Sequence, residues 1–272
     1  MITLLKHEVV QTRAMLGLVG LVALLVTAVG ALFAATGWPA LAPFGLVLVV
    51  AAAFGLVPAA QIVLAVAYWR SGYGRMGHLT HTFPVRGSTI YWAKTVWAWA
   101  VSLLGVALSV GLVLAASPLL ARGLGTDRGD LFRPLREGWA LLAEMAPVWG
   151  IAAAAAALVV LVLIWPVQYF FAASVGSQAP LNRLGVGGPV IVWFGVYFVT
   201  QVLTFVSFAA VPFAVGSDGE RLAIVRFDLF AEMMAGTSAE VMPIGFLPSL
   251  LLITVVCIGW TVHSWNRRVS LV

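Results

Sequence analysis

Between Glu144 and Arg183 the chain carries no charged side chain, and nearly charge-free apolar runs recur along its length. About 20 apolar residues suffice to cross the hydrocarbon of a bilayer as a helix. Inside lipid every backbone polar group must be satisfied within the protein, which leaves helices and closed barrels as spanning structures. Barrel strands run to roughly 10 residues and alternate apolar with polar, whereas these runs are longer and apolar on every face. They cover 17–35, 42–68, 93–119, 147–173, 190–215 and 244–262. Of 272 residues, 62% are hydrophobic and 9% charged, against about 25% charged in a soluble domain. The expectation is an all-α integral membrane protein with six transmembrane helices, a single membrane domain over 1–272, and lipid as its surroundings.

Ahead of the first span, Ile2, Leu5, Val9 and Leu16 recur at helical spacing, with Lys6 and Arg13 flanking the stripe. Such a pattern predicts an interfacial helix over 1–16 whose cations reach the lipid headgroups. No cleavage site is evident in this leader, so no removable signal segment is expected. With the N-terminus inside, the inner side holds Lys6, Arg13, Arg70, Arg75, Arg86, Lys94, Arg183, Arg267 and Arg268 with the single acid Glu8. The outer side holds Arg122, Arg128, Arg133, Arg136, Arg221 and Arg226 with all the other acids. Short basic loops mark the cytoplasmic face, so both termini are expected to be cytoplasmic and the membrane to be the cell membrane. Leu131, Leu135, Trp139 and Leu142 predict a helix lying on the outer face. The outer connection over 216–243 is the longest without an apolar stripe, with Asp218-Gly219 as a turn and a helix possible over 227–234.

Several chemistries are disfavoured by what the spans lack. Lys94, at an inner edge, is the one charge that enters them, whereas ion-coupled carriers use intramembrane ionisable groups to bind or relay the coupling ion. Neither lysine, Lys6 or Lys94, is framed by the glycines of a phosphate-binding loop, so no ATP chemistry is expected on this chain. His78 and His81 stand three apart without a third ligand nearby, and surface histidines explain them. The single cysteine, Cys257, lies in the last span and reads as a small core residue. A net charge of +5, spread along the chain, suits topology rather than nucleic acid. Gln61, Gln168 and Gln201 are read as interhelical hydrogen bonders first and solute contacts second. Gly105/Ser109, Gly111/Ala115 and Ala153/Ala157 offer small faces for close helix packing.

One polar connection remains, over 69–92 between the second and third spans. Its core reads G-H-L-T-H-T-F-P-V-R-G-S-T-I-Y-W-A-K from Gly77 to Lys94. This segment resembles the inner loop of type-2 ABC-transporter permeases, the transmembrane subunits of bacterial ABC exporters. Those loops read acid-Gly-aromatic-Leu-Thr-x-Thr-Leu-Pro-Val, followed by a polar stretch and a Lys entering the third span. Gly77, Leu79, Thr80, Thr82, Pro84, Val85 and Lys94 match; Met76 stands for the acid, His78 for the aromatic and Phe83 for the Leu.

The resemblance implies a coupling loop that docks a cytoplasmic ABC ATPase subunit through Gly77, Leu79, Thr80, Thr82, Phe83, Pro84, Val85, Arg86 and Lys94. It implies ATP and Mg on that partner, no cofactor on this chain, and a second permease, identical or related, beside it. An amphipathic or lipid-like solute, peptide or antibiotic would be exported. Two other classes stay open on the residues alone: a secondary carrier or channel, and a non-transporting membrane anchor of another complex.

Overall fold

The computed structural model describes residues 1–74, 85–217, 221–236 and 241–267, with Arg267 described by its backbone. Six of its helices are long and apolar enough to cross a membrane, making this a multi-pass membrane protein. The chain divides into two units, one of residues 1–71 and 83–138, the other of 72–82 and 139–272.

The first unit contains α1 (Ile2–Ala35), α2 (Leu41–Gly72), α3 (Gly87–Gly123) and the short α4 (Arg128–Leu131). The expected break between a leader and the first span is absent, because α1 runs unbroken through Gly17. A lone glycine costs a helix only about 1 kcal/mol relative to alanine, and no proline or capping residue stands there to stop the chain. In this leader Ile2 is exposed, Thr12 is buried, and Leu5, Glu8, Val9 and Leu16 are half-buried.

Along their length the three long helices pack through small side chains. Ala31, Ala34, Val49, Ala116 and Leu120 form one cluster, and Ala23, Leu56 and Leu112 form another. Lipid tails are as apolar as leucine, so close van der Waals contact rather than hydrophobic burial holds such helices together. At Gly30 a Cβ would lie 2.7 Å from the Gly45 carbonyl oxygen and 2.9 Å from Leu48 Cβ. Only glycine admits this approach of α1 to α2. On α3 the expected small face is used: Ser109 Oγ donates to the Ala53 carbonyl at 2.7 Å, and Gly105 lies against Val57. A Cβ added at Gly111 would meet nothing within 4 Å outside its own stretch of helix among the described residues.

Pro118 sits inside α3. Its missing N–H would leave the Leu114 carbonyl, four residues earlier, without a helical donor. Ser117 Oγ supplies one at 2.7 Å. Of the expected stripe, Leu131 ends α4 and packs half-buried against the Ala31–Leu120 cluster, while α5 (Arg133–Met145) carries Leu135, Trp139 and Leu142 exposed.

The second unit is built on α6 (Val148–Gly176), α7 (Gly187–Ala210) and α9 (Phe246–Arg267), with a 3-10 turn over Leu181–Leu184. The ends of α6 and α7 meet where Gly176 and Gly188 touch backbone to backbone. Gln178 Nε2 donates to Ser264 Oγ at 2.7 Å, joining the same end of α6 to α9. At the other end Thr204 and Ser249 hydroxyls lie 3.1 Å apart and Ser207 Oγ donates to the Gly245 carbonyl. Tyr73 packs edge-on against Trp265, their ring centroids 5.6 Å apart.

Here the expected fifth span is shortened. α7 ends at Ala210, because Pro212 disfavours helical geometry at Val211, which takes φ −124° and ψ 76°. The apolar residues beyond it form β1 (Phe213–Ser217), which pairs antiparallel with β2 (Leu222–Arg226), Phe213 opposite Arg226 and Ser217 opposite Leu222. A third strand, β3 (Met242–Pro243), adds to the far side of β1, giving the order β2-β1-β3. The long connection between α7 and α9 therefore carries a small sheet, and the fold is not wholly α. Helix α8 (Leu229–Ala235) lies within the expected helical stretch and is capped by Asp228, whose carboxylate accepts from the Phe230 and Ala231 amides at 3.1 and 3.2 Å. Asp218 and Gly219 lie outside the described residues.

Candidate functional site

Of the residues expected to dock a partner, Gly77, Leu79, Thr80, Thr82, Phe83 and Pro84 lie outside the described residues, as do His78 and His81. Val85, Arg86 and Lys94 are described, and they divide sharply. Val85 and Arg86 are exposed. Arg86 is the extended residue before α3, and its carbonyl accepts from the Thr89 amide at 2.9 Å. Lys94 is two turns into the helix and buried, with 3% of its surface accessible.

Burial of an ammonium group requires paired and hydrogen-bonded surroundings. Lys94 Nζ lies 2.6 Å from Glu8 Oε1 of α1 and donates at 2.9 Å to Ser71 Oγ, near the end of α2. The Ser71 hydroxyl turns its own hydrogen back to the Ala67 carbonyl at 2.7 Å. One turn beyond Glu8 on the same face, Thr12 Oγ1 donates to the Glu8 carbonyl at 2.8 Å and accepts from Trp97 Nε1 at 2.9 Å. Trp97 follows Lys94 by three residues, again one turn along one face. Three helices thus converge on a single polar cluster: Glu8 and Thr12 from α1, Ser71 from α2, Lys94 and Trp97 from α3.

The arrangement defines what the cluster can do. Each charge is met by its opposite, and the ammonium also by the Ser71 hydroxyl, so the group is suited to fixing positions rather than to chemistry. Taking two charges out of water is costly, and their attraction offsets that cost only when the geometry is good. Removing one partner leaves the other buried and alone, at about 3–5 kcal/mol. The pair therefore holds the registers of α1 and α3 firmly, and through Ser71 it holds the end of α2. Of these, α2 and α3 are the two helices that the 69–92 connection joins.

Sequence reasoning singled out Lys94 but missed its partner. The available signal was Glu8 itself, the one acid among the basic residues assigned to its side, followed four residues on by a hydroxyl. Gln61 behaves as expected, its Nε2 donating to Ser102 Oγ at 3.0 Å across α2 and α3. No family model, curated protein or solved structure matches this chain.

Proposed function

We propose that this chain is the transmembrane subunit of an ATP-driven ABC exporter, inert by itself, that docks a cytoplasmic ATPase through the 69–92 connection. In this reading both termini and that connection face the cytoplasm, and the membrane is the cell membrane. A second permease completes the pathway, while ATP and Mg reside on the ATPase. The motif from Gly77 to Lys94, with its resemblance to permease inner loops, supplies the partner's identity. The observation that carries the reading is the Glu8–Lys94–Ser71 cluster. A connection that transmits force must not yield at its roots. Here its far root is tied to α1 by an ion pair, and its near root is tied to its far root through a serine. A push on the connection is delivered to α1, α2 and α3 together.

Val85 offers the cleanest test, because it is exposed and a charge there costs the fold little. Val85→Glu is expected to insert and fold normally but to lose the ATPase during copurification in mild detergent; Leu79→Glu and Phe83→Glu are expected to do the same. Normal recovery of the ATPase with all three variants would remove docking from this segment. Transport that persists without an ATPase and follows a proton gradient would select a secondary carrier instead. A complex whose ATPase never responds to any solute would favour an anchor subunit.

A further inference from the structure

The helices of the second unit enclose a cleft of about 250 Å³ between α6, α7 and α9. Gln168 and Trp165 line it from α6, Tyr197, Thr200, Gln201 and Thr204 from α7, with aliphatic residues and Phe246 closing the rest. Its polar groups are not equivalent. Thr200 Oγ1 donates to the Val196 carbonyl at 2.7 Å, Gln201 Nε2 donates to the Tyr197 hydroxyl at 3.1 Å, and Thr204 pairs with Ser249. Gln168 is as buried as Gln61, at 4% against 3% accessible. Gln61 reaches Ser102, whereas the Gln168 carboxamide has no hydrogen-bond partner among the described residues.

A carboxamide carries two N–H donors and an oxygen with two lone pairs. Leaving a buried polar group unmatched is costly, and within a membrane span no bulk water relieves it. Among the described residues the lining contains no Asp, Glu, Lys, Arg or His, and a charged occupant would meet no counter-charge from them in a setting that penalises it heavily. The walls are apolar and partly aromatic, with Trp165, Tyr197 and Phe246 among them, and Trp193 stacks on Tyr197 at 6.0 Å and on Tyr169 at 6.2 Å. The volume lies just under the roughly 300–1,000 Å³ of small-molecule sites.

We infer that this cleft binds a small uncharged solute, an apolar body bearing an amide or hydroxyl that pairs with Gln168. The inference does not depend on the docking reading, and its test requires no ATPase. The full chain in phosphatidylcholine nanodiscs would be titrated with octanamide, octanol, octanoate at pH 8 and octane, following tryptophan fluorescence and the unfolding midpoint. Octanamide and octanol are expected to give a saturable response and raise the midpoint, and octanoate and octane are not. Gln168→Leu should weaken the octanamide response by about tenfold, one good hydrogen bond, without lowering the midpoint of the probe-free protein. Leu161→Trp, which fills the cleft and leaves the amide in place, should abolish the response as well.

A probe-free midpoint lowered by Gln168→Leu would assign the glutamine a structural bond and overturn the inference. So would an equal response to octane, which marks a crevice for acyl chains, or a response unchanged in both variants, which places binding elsewhere. Absence of a saturable response to octanamide and octanol in the unmodified protein would overturn it outright.

Discussion

In the first unit, α1, α2 and α3 meet at one end around the Glu8–Lys94 ion pair and at the other around glycines and alanines. In the second, neutral groups join α6 to α9 at one end, Gln178 with Ser264, and α7 to α9 at the other, Thr204 with Ser249 and Ser207 with the Gly245 carbonyl. Helix length separates the units in the same sense. α1, α2 and α3 have 34, 32 and 37 residues, about 50 Å each at 1.5 Å per residue. α7 and α9 have 24 and 22 residues, about 35 Å, close to the ~30 Å of bilayer hydrocarbon; α6 lies between. Helices that outrun the hydrocarbon can be joined by charges in the part that outruns it. Helices that barely cross it must be joined by groups that tolerate lipid. The difference teaches that the kind of interhelical bond follows from where along a span it is placed.

The contrast can be broken most forcefully at its charged end. Lys94→Met should destabilise the chain by up to about 3–5 kcal/mol, because the half-buried Glu8 is left without its cation. A chain also carrying Glu8→Leu should recover most of that loss, since apolar groups can replace a buried pair nearly neutrally. Unfolding midpoints in mild detergent would check both, and a double variant as unstable as the single one would contradict the ion-pair account. Next in size is Gly45→Val, which drives a side chain into the α1 backbone and should cost at least the ~1–3 kcal/mol of overpacking. Its counterpart in the second unit, Gly188→Val, should cost a similar amount by the same assay, because backbone contact is common to both units.

Smaller effects sharpen the comparison. Gln178→Ala removes one neutral bond to Ser264 and should cost about 0.5–1.5 kcal/mol; a loss as large as that of Lys94→Met would show that the second unit hides an equally strong joint. Smallest of all is Asp130→Asn. The Asp130–Arg133 pair is exposed on both sides, 44% and 58% accessible, so its loss should fall within ~1 kcal/mol and vanish at high salt. Comparing the salt dependence of the Asp130 and Lys94 variants would separate a solvated pair from a buried one.

The six spans were legible because length and freedom from charge are local properties that lipid makes decisive. Their ends were less so. Pro212 was visible near the end of the fifth run, yet the apolar Phe213, Ala214 and Val215 read on as helix, although they alternate into a strand before Asp218-Gly219. The pairing of β1 with β2 depends on backbone partners that hydropathy does not encode. Gly17 suggested a boundary that no strong breaker enforced. Lys94 stood out as a charge at the edge of a span, but its partner lies 86 residues earlier, and contact at that separation is fixed by how α1 and α3 pack. Gln168 could be marked as a polar residue in a span, while its lack of a partner among the described residues emerges only from the packing of α6, α7 and α9.

The distance along the chain between Glu8 and Lys94 also sets an order of events during synthesis. At about 5–20 residues per second, the 86 residues separating them take roughly 4–17 seconds to make. Throughout that interval the Glu8 carboxylate lacks the cation that it meets in the folded chain, so α1 is expected to wait with its first turns in water or headgroups. Arrival of Lys94 then draws the leader against α3 and fixes its depth. A cysteine at Thr12 should accordingly react with a water-soluble thiol reagent in a membrane-inserted chain truncated before Lys94 and be shielded in the complete protein; shielding in both would mean that the depth of α1 is set before its partner is made.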